Sequence, residues 1–391
     1  MKVRFYCSLW CFGLLMVLLP LAVQAADLNS TLLQATAANK SGTVTNLIRK
    51  GADVNARDDN DWTPIIIAAD KGYTPLVKIL LDKGATINLQ DNHGFSALMH
   101  AINNKHQTVI NTLLEKGADL NLRSNEGYPA VIYALKSNDP KIIQLLEEKG
   151  ASYDFSVLYA AKNGDTAIIP DLLTRDSTGI NSQDAEGWTP LLWAAKKGYV
   201  DTVKLLLAYG ANINCADRNG VTPLIAAASN GNSETVQLFL SNTIKLNTMD
   251  GNGWTALHWA AEKGHPEIIK LLLAKGADLN ICNKDGDTPL ALAARKGFSE
   301  VVKVMAAAGA NLNLALLSSI SERDPESCHV LLDQGADPNV KDSSGRPAII
   351  KAVRQDQIQI LENLITKGAN VNDPDSEGDT ALIFAAMYGY P

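Results

Sequence analysis

Asparagine residues recur through this chain at a fixed interval. The interval is constant within three groups: Asn55, Asn88 and Asn121; Asn181, Asn214, Asn247, Asn280 and Asn313; Asn339 and Asn372. Asp154 takes the next position after Asn121, and the steps from Asp154 to Asn181 and from Asn313 to Asn339 are shorter than the others. A constant period of about 33 residues is the signature of a repeat array, in which one supersecondary unit is stacked many times. Any function must therefore lie on the surface of a stack.

Each repeat carries the local signals of two short helices. The fullest one runs from Gly253 to Asn280 and reads GWTALHWAAEKGHPEIIKLLLAKGADLN. Its Thr suits a helix N-cap, and repeats such as the one at Thr189 add Pro at the first helical position, where no hydrogen bond is lost. Apolar residues then follow at helical spacing. Glycines such as Gly264 and Gly276 suit the left-handed turns that end helices.

This unit resembles the ankyrin repeat. The TPLHxAA core of that family recurs in phase at the following threonines: Thr63, Thr189, Thr222, Thr255 and Thr288. Its GADVN ending is literal from Gly51 to Asn55. The resemblance covers nearly everything after residue 30 and implies an all-α ankyrin-repeat solenoid. That solenoid would stack about eleven helix-turn-helix repeats with projecting hairpin loops, whose Asn and Asp side chains hydrogen-bond the loop backbone.

The pattern departs from the family in four places of the 26–391 repeat domain. Hairpins are shortened by about six residues near 155 and near 314, although both helices remain there. Thr243 replaces the usual Gly, which predicts a strained or reshaped turn. The last repeat is incomplete, because no second helix follows the one that starts at Ala381, and Leu382, Ile383 and Phe384 lack a cover. Either the sequence is truncated or another chain covers this end.

The segment from Met1 to Ala25 has the pattern of a secretory signal peptide. Lys2 and Arg4 precede an apolar run that ends in small residues before Ala26. This pattern predicts cleavage after Ala25 and a periplasmic or secreted protein. The alternative is an uncleaved N-terminal membrane anchor, since the run is long enough to cross much of a bilayer.

Charge and cysteine content narrow the partners. Removal of Lys2 and Arg4 would take the formal net charge from −7 to −9, which argues against a general nucleic-acid binder. The three remaining cysteines, Cys215, Cys282 and Cys328, form no even set. Two of them lie about two repeats apart, too far for a disulfide, so we expect none.

The sequence shows no catalytic site, cofactor site or metal site. His258 occupies the His position of the ankyrin motif, which is a structural position in that family, and His265 follows in the next loop. No Cys or carboxylate cluster completes a metal site around them. No glycine-rich nucleotide loop is present. We therefore expect a protein that is not an enzyme and has no small-molecule substrate.

The resemblance places one residue of each repeat, the one before the motif Thr, in a concave groove. These residues are Trp62, Phe95, Tyr128, Trp188, Val221, Trp254, Asp287, Arg346 and Asp379. Five are aromatic, and aromatic side chains are the usual hot spots of protein interfaces. They could equally support the hairpins, and the sequence leaves both roles open. Trp193 and Trp259 fall on the inward helix face and are expected in the core.

Basic residues at the ends of the first helices would line the same groove. The densest group is Lys196, Lys197, Lys263, Arg295 and Lys296. They could attract an acidic segment of a partner. They could also merely complement the helix dipole, which favours cations at this end.

These patterns predict an exported, non-enzymatic scaffold that binds a partner protein through its concave face. The candidate partner-binding residues are Trp62, Phe95, Tyr128, Trp188, Lys196, Lys197, Trp254, Lys263, Arg295 and Lys296. A secreted effector that acts on a host protein, and an accessory or regulatory subunit of an exported enzyme, are the alternatives. Fractionation would separate the first, and stoichiometric co-purification with an enzyme would indicate the second.

Overall fold

The fold was described from a computed structural model, which covers residues 28–390 of the 391-residue chain. The predicted signal peptide and its cleavage site lie outside these residues. Within them, regular structure is helical, and the only β-pairing is two isolated bridges, Gln90 with Ser96 and Lys341 with Pro347. The prediction of an all-α fold is therefore confirmed. No helix in the described part is long and apolar enough to cross a membrane.

The described residues form two compact units. The first takes residues 28–159 and Pro170–Ser177, and the second takes Ala160–Ile169 and 178–390. The first unit contains helices α1 (28–37), α2 (Ser41–Arg49), α3 (Pro64–Asp70), α4 (Thr74–Asp82), α5 (Ala97–Asn103), α6 (Gln107–Glu115), α7 (Ala130–Lys136) and α8 (Pro140–Glu148). The division between the units falls within α9 (Ser156–Asn163) and α10 (Ile169–Arg175).

The second unit continues the same alternation of helices. It contains α11 (Pro190–Lys197), α12 (Val200–Ala208), α13 (Pro223–Ser229), α14 (Ser233–Leu240), α15 (Ala256–Glu262), α16 (Pro266–Ala274), α17 (Pro289–Arg295), α18 (Ser299–Ala307), α19 (Leu312–Ser321), α20 (Pro325–Asp333), α21 (Ala348–Arg354), α22 (Ile358–Thr366) and α23 (Ala381–Tyr388). Short 3₁₀ turns lie at Thr166–Ile168 and Ser177–Asn181.

Helices pack in two rows within each unit. In the second unit α11, α13, α15 and α17 contact one another in sequence, and α12, α14, α16 and α18 form the other row. Alanines such as Ala195, Ala227 and Ala261 are fully buried at the contacts of the first row. Their small side chains let neighbouring helices approach closely, so the core is continuous from repeat to repeat.

The predicted helix signals are present as hydrogen bonds and backbone angles. The Thr189 hydroxyl oxygen accepts the Leu192 N–H at 3.3 Å, and Pro190 opens helix α11. Gly198 ends this helix with a φ of 72°. This left-handed conformation is unfavourable for residues that have a side chain, but not for glycine. Helix α11 therefore begins and ends at the residues that its own sequence indicates.

The asparagine series joins successive hairpins. The Asn88 Oδ1 accepts the Asp119 N–H at 2.9 Å, and the same bond to a residue 31 positions later recurs at Asn55, Asn121, Asn181, Asn214, Asn247 and Asn339. These bonds confirm that the loop asparagines bind loop backbone. Asn29 and Asn313 make the same bond over 24 residues, to Asp53 and Asp337. Asn29 therefore belongs to the series. The sequence alone did not show this, because the step from Asn29 to Asn55 is shorter than the constant period.

The two shortened repeats have helices where other repeats have hairpins. After Asp154 the chain passes through Phe155, with a φ of 58°, straight into helix α9. Helix α19 starts at Leu312, slightly before the point that the sequence suggested. The Asn311 side chain caps it by accepting the Leu314 N–H at 3.0 Å.

The turn at Thr243 is reshaped and not strained. Thr243 does not adopt a positive φ, unlike the glycines Gly210 and Gly276 at the same place in adjacent repeats. Instead, the Ser241 hydroxyl and the Asn242 amide donate to the Leu238 carbonyl at 2.7 and 2.9 Å. These side chains satisfy the helix end that the usual glycine turn would satisfy.

The last helix, α23, is covered on one side only. Leu382 and Met387 are 77% and 68% exposed. Phe384 is 8% exposed, with the Arg354 guanidinium 5.3 Å from its ring. The expectation that Phe384 lacks a cover is therefore wrong.

Cys215, Cys282 and Cys328 are free thiols.

His258 is a buried structural residue whose surroundings favour the neutral form of its ring. Its Nδ1 accepts the Thr255 N–H at 3.2 Å, and its Nε2–H donates to the Asp287 carbonyl at 3.2 Å. Burial lowers the pKa of His258 below its ordinary value of 6.5. A proton added to Nδ1 would face the Thr255 N–H, so the fold favours the uncharged ring.

Because of His258, the free energy of unfolding is expected to decrease as the pH is lowered from 6.5. The unfolded chain binds the proton first, so stability is complete above this pH and is lost as the pH falls towards the lower pKa of the folded state. Urea denaturation at several pH values measures the effect. A His258→Leu variant should be less stable at neutral pH, yet show a flatter pH dependence. An equally steep dependence in that variant would assign the effect to other groups.

Candidate functional site

The site starts from an aspartate that organises each hairpin. In the repeat of helix α11, one carboxylate oxygen of Asp184, Oδ1, accepts the N–H groups of Glu186 and Trp188 at 3.1 and 2.8 Å. Asp250 makes the same two bonds to Asn252 and Trp254 in the repeat of α15, at 2.9 and 3.0 Å. These bonds fix the backbone that carries each tryptophan.

The second oxygen of the same aspartate holds another tryptophan. The Trp193 Nε1–H donates to Asp184 Oδ2 at 3.0 Å, and the Trp259 Nε1–H donates to Asp250 Oδ2 at 2.9 Å. Both indoles are half-buried. The expectation that Trp193 and Trp259 lie in the core is therefore wrong. The bond to a loop carboxylate keeps them at the surface beside the hairpin.

Two pairs of tryptophan rings result. Trp188 and Trp193 have ring centroids 4.8 Å apart, and so do Trp254 and Trp259. The pairs occupy equivalent positions in repeats that are separated by one intervening repeat. That intervening repeat has Val221 in place of the hairpin tryptophan and Ala226 in place of the helical one. Two similar aromatic platforms therefore flank a repeat that has smaller side chains at both positions.

Lysine side chains lie on these rings. The Lys196 ammonium nitrogen is 4.7 Å from the Trp188 centroid and 5.4 Å from that of Trp193, within cation–π range. The Lys162 nitrogen is 4.5 Å from the Trp193 ring. Lys263 is 5.9 Å from Trp259, a weaker contact. Lys197 is exposed beside them.

The other two predicted basic residues form ion pairs with the protein's own carboxylates. Arg295 Nη1 is 3.0 Å from Asp287 Oδ2 and also bonds Glu322. Lys296 Nζ is 3.0 Å from Glu262 Oε1. Their charges are therefore paired within the protein, and a role for Arg295 and Lys296 in partner binding stays a prediction. These ion pairs join each side chain to a carboxylate of a neighbouring repeat.

Comparison with known proteins agrees with this geometry. The family model described as ankyrin repeats (3 copies) matches residues 32–124, 157–250, 245–315 and 316–391. The chain belongs to the ankyrin-repeat family. Among curated proteins, it is similar to Ankyrin repeat domain-containing protein 49 of Drosophila melanogaster, with 36% identity over 61 residues. That match covers 16% of this chain and 28% of the relative, so it identifies the repeat and nothing beyond it.

Stacked repeats of this kind create extended surfaces that are suited to binding, so the candidate site is sought on the surface of the stack. Within the residues that the structure describes, no group of three or more His, Cys, Asp or Glu could hold a metal ion. The candidate site is the aromatic and basic surface that the tryptophans and lysines of the second unit form. The properties of this surface that bear on binding are its exposure, its rigidity and its charge.

The first unit shows the same ankyrin hairpin geometry with different side chains. His100 takes the position of Trp193, and its Nε2 lies 2.9 Å from Asp91 Oδ2. The His100 ring packs against Trp62 and Phe95, with centroids 4.6 and 5.4 Å away. Trp62 and Phe95 are half-buried, so both retain an exposed part.

Tyr128 departs from the predicted role. Its side chain is 0% exposed, with the rings of Tyr133 and Tyr159 at 6.2 and 6.5 Å and the Lys136 nitrogen 4.3 Å from its centroid. Tyr128 therefore cannot contact a partner as the sequence suggested. It supports the ankyrin hairpin from within.

Proposed function

We propose that this ankyrin-repeat protein is exported and binds a partner protein through the aromatic surface of its second unit. We name this the tryptophan surface and define it by these residues: Trp188, Trp193, Lys196, Lys197, Trp254, Trp259 and Lys263. The observation that carries the proposal is the pair of similar tryptophan platforms, half-exposed and two repeats apart. Trp62 and Phe95 of the first unit stay candidate contacts of lesser weight.

The platforms suit binding because they are rigid before a partner arrives. Each hairpin tryptophan has its backbone N–H bonded to the loop aspartate, and each helical tryptophan has its indole N–H bonded there as well. A side chain that is already fixed loses little conformational freedom on association, so more of its contact energy appears as affinity. Trp is also the residue type most enriched among interface hot spots.

Truncation of either hairpin tryptophan is expected to weaken partner binding. Trp188→Ala and Trp254→Ala should each cost about 2 kcal/mol or more, which is roughly a thirtyfold higher Kd. The partner is first identified by affinity purification from the native cell envelope and mass spectrometry, and its Kd is then measured by titration calorimetry.

Tyr209→Ala is the control for these variants. Tyr209 is an exposed aromatic residue, 47% accessible, at the end of helix α12 and outside the tryptophan surface. Its replacement should leave the Kd unchanged. Normal binding by both tryptophan variants would move the site elsewhere, and a large fall in their melting temperature would make the rings mainly structural supports.

The exported location rests on the charged start, the apolar run and the small residues before Ala26. N-terminal sequencing of protein from the periplasm or the medium should read Ala26-Asp27 at the start. Recovery of the segment from Met1 to Ala25 in a membrane fraction would replace the cleaved signal with an uncleaved anchor.

A further inference from the structure

The two tryptophan platforms carry different charge. Both have the same loop aspartate and the same ring geometry, so the contrast comes from the residues that end the first helices. At the first platform these residues are Lys196 and Lys197, and at the second they are Glu262 and Lys263. The tryptophan surface therefore carries more positive charge at one end than at the other.

The first platform presents positive charge to solvent. Among the described residues, Lys196 and Lys197 have no carboxylate within ion-pairing distance, and the Lys196 ammonium instead rests on the Trp188 and Trp193 rings. At the adjacent hairpin tips, the exposed Glu186 and Arg218 have opposite charges and offset each other. The excess positive charge of this platform therefore comes from its helix-end lysines.

The second platform is close to neutral. Glu262 occupies the position equivalent to Lys196, and its carboxylate pairs with Lys296 at 3.0 Å while only 15% of its side chain is exposed. The other residue at this helix end is Lys263, which lies 5.9 Å from the Trp259 ring. Contact with this platform is therefore mainly contact with apolar ring faces.

We infer that the partner segment at this surface has an acidic end and an apolar end. Its carboxylates bind at the Trp188–Trp193 platform, and its apolar side chains pack on the Trp254–Trp259 platform. This inference rests on the proposed function and adds the chemistry and the orientation of the partner. A carboxylate would give Lys196 a charge-assisted hydrogen bond while the rings still exclude water around it.

The spacing sets the length of that segment. Two repeats span roughly 20 Å, since neighbouring helices pack about 8–10 Å apart. About six extended residues or about thirteen helical ones cover this distance. Between the platforms, Val221 keeps an exposed part that the segment can contact, whereas Ala226 is buried. A peptide of roughly 16 residues is therefore long enough to touch both platforms in either conformation.

The test is selection of peptides from a displayed random library, with peptides of roughly 16 residues, against the immobilised full chain. The Trp188→Ala/Trp254→Ala double variant serves as the counter-selection target, which removes peptides that bind elsewhere. Enriched peptides are expected to carry Asp or Glu near one end and Leu, Met, Phe or Trp near the other. Selected peptides are then synthesised, and their Kd values are measured by fluorescence anisotropy.

Charge reversal tests the orientation. Lys196→Glu should raise the Kd of a selected acidic peptide about tenfold or more, whereas Lys263→Glu, the same charge reversal at the other platform, should change it less than about threefold. A peptide with Lys in place of its acidic residues should recover affinity for Lys196→Glu alone. Circular dichroism and melting curves of both variants establish that each is folded.

The outcomes separate this inference from the proposed function. Tryptophan-dependent peptides that are neutral or basic, or equal effects of Lys196→Glu and Lys263→Glu, would overturn the segment with an acidic end and an apolar end, and leave the tryptophan surface as the binding site. Failure to enrich any tryptophan-dependent peptide would overturn both.

Discussion

Replacement of Tyr128 by Ala is expected to lower the free energy of unfolding by about 3–5 kcal/mol, the cost of emptying a large aromatic site in a core. Tyr128 is among the largest side chains with no exposure at all. Its ring contacts those of Tyr133 and Tyr159, so truncation leaves a cavity beneath the hairpin. Denaturation in guanidinium chloride, followed by circular dichroism, measures the change.

Trp254→Ala is the matched control, because Trp254 has the same place in its repeat as Tyr128. The Trp254 ring is half-exposed and packs mainly on Trp259. Its loss should therefore cost less than half as much stability, while it weakens partner binding. Equal losses of stability in the two variants would show that the hairpin residues share one supporting role.

This contrast shows what a repeat pattern can and cannot predict. The sequence predicted the helix pairs, the Thr caps and the bonding role of the loop asparagines, because each depends on residues close in the chain or one repeat away. The sequence pattern predicted that Tyr128 and Trp188 both bind a partner, because each directly precedes the Thr position of the repeat motif. Exposure depends on which side chains pack against each ring: Tyr159 packs against the buried Tyr128, whereas Trp188 keeps an exposed part.

The tryptophans of the first helices were missed for a related reason. Trp193 and Trp259 lie on a helix face that is otherwise buried, so hydrophobic periodicity assigned them to the core. A signal was present in the sequence: an aspartate nine residues earlier, as in Asp184 with Trp193 and Asp91 with His100. Charge pairing was harder to foresee, because Lys296 pairs with a carboxylate of the preceding repeat.

The role of the loop aspartate leads to the second large expected effect. Asp250→Asn should lower the free energy of unfolding by about 1–3 kcal/mol, because the half-buried Trp259 indole N–H loses its hydrogen bond to a charged acceptor. The amide oxygen can still accept the Asn252 and Trp254 N–H groups, as Oδ1 does now. The amide nitrogen would then face the Trp259 Nε1–H, and two donors cannot bond each other.

The protein contains its own precedent for asparagine at this position. Asn283 opens the next hairpin, where its Oδ1 accepts the N–H groups of Asp285 and Asp287 at 2.9 and 2.8 Å. Its amide nitrogen is buried without a hydrogen-bond partner. The position equivalent to Trp259 in this repeat is Leu292, which has no side-chain donor. Asparagine therefore supports the hairpin backbone, and the second oxygen is needed only where an aromatic N–H must be held.

Asp217→Asn is the matched control, since Asp217 bonds the Asn219 and Val221 N–H groups through Oδ1. The equivalent helical residue here is Ala226, and in the described part of the chain no donor reaches the second oxygen of Asp217. This variant should change stability by less than about 0.5 kcal/mol. Denaturation curves give both values, and the indole N–H resonance of Trp259 reports its lost bond by NMR.

Asp250→Asn should also weaken binding to the tryptophan surface, because Trp259 would lose the bond that fixes its ring beside Trp254. Asp217→Asn should leave binding unchanged, although it lies between the two platforms. If the two variants instead lost equal stability and equal affinity, the aspartates would act only on their hairpins. The tryptophan platforms would then owe their geometry to packing, and the carboxylate would not be the group that keeps them at the surface.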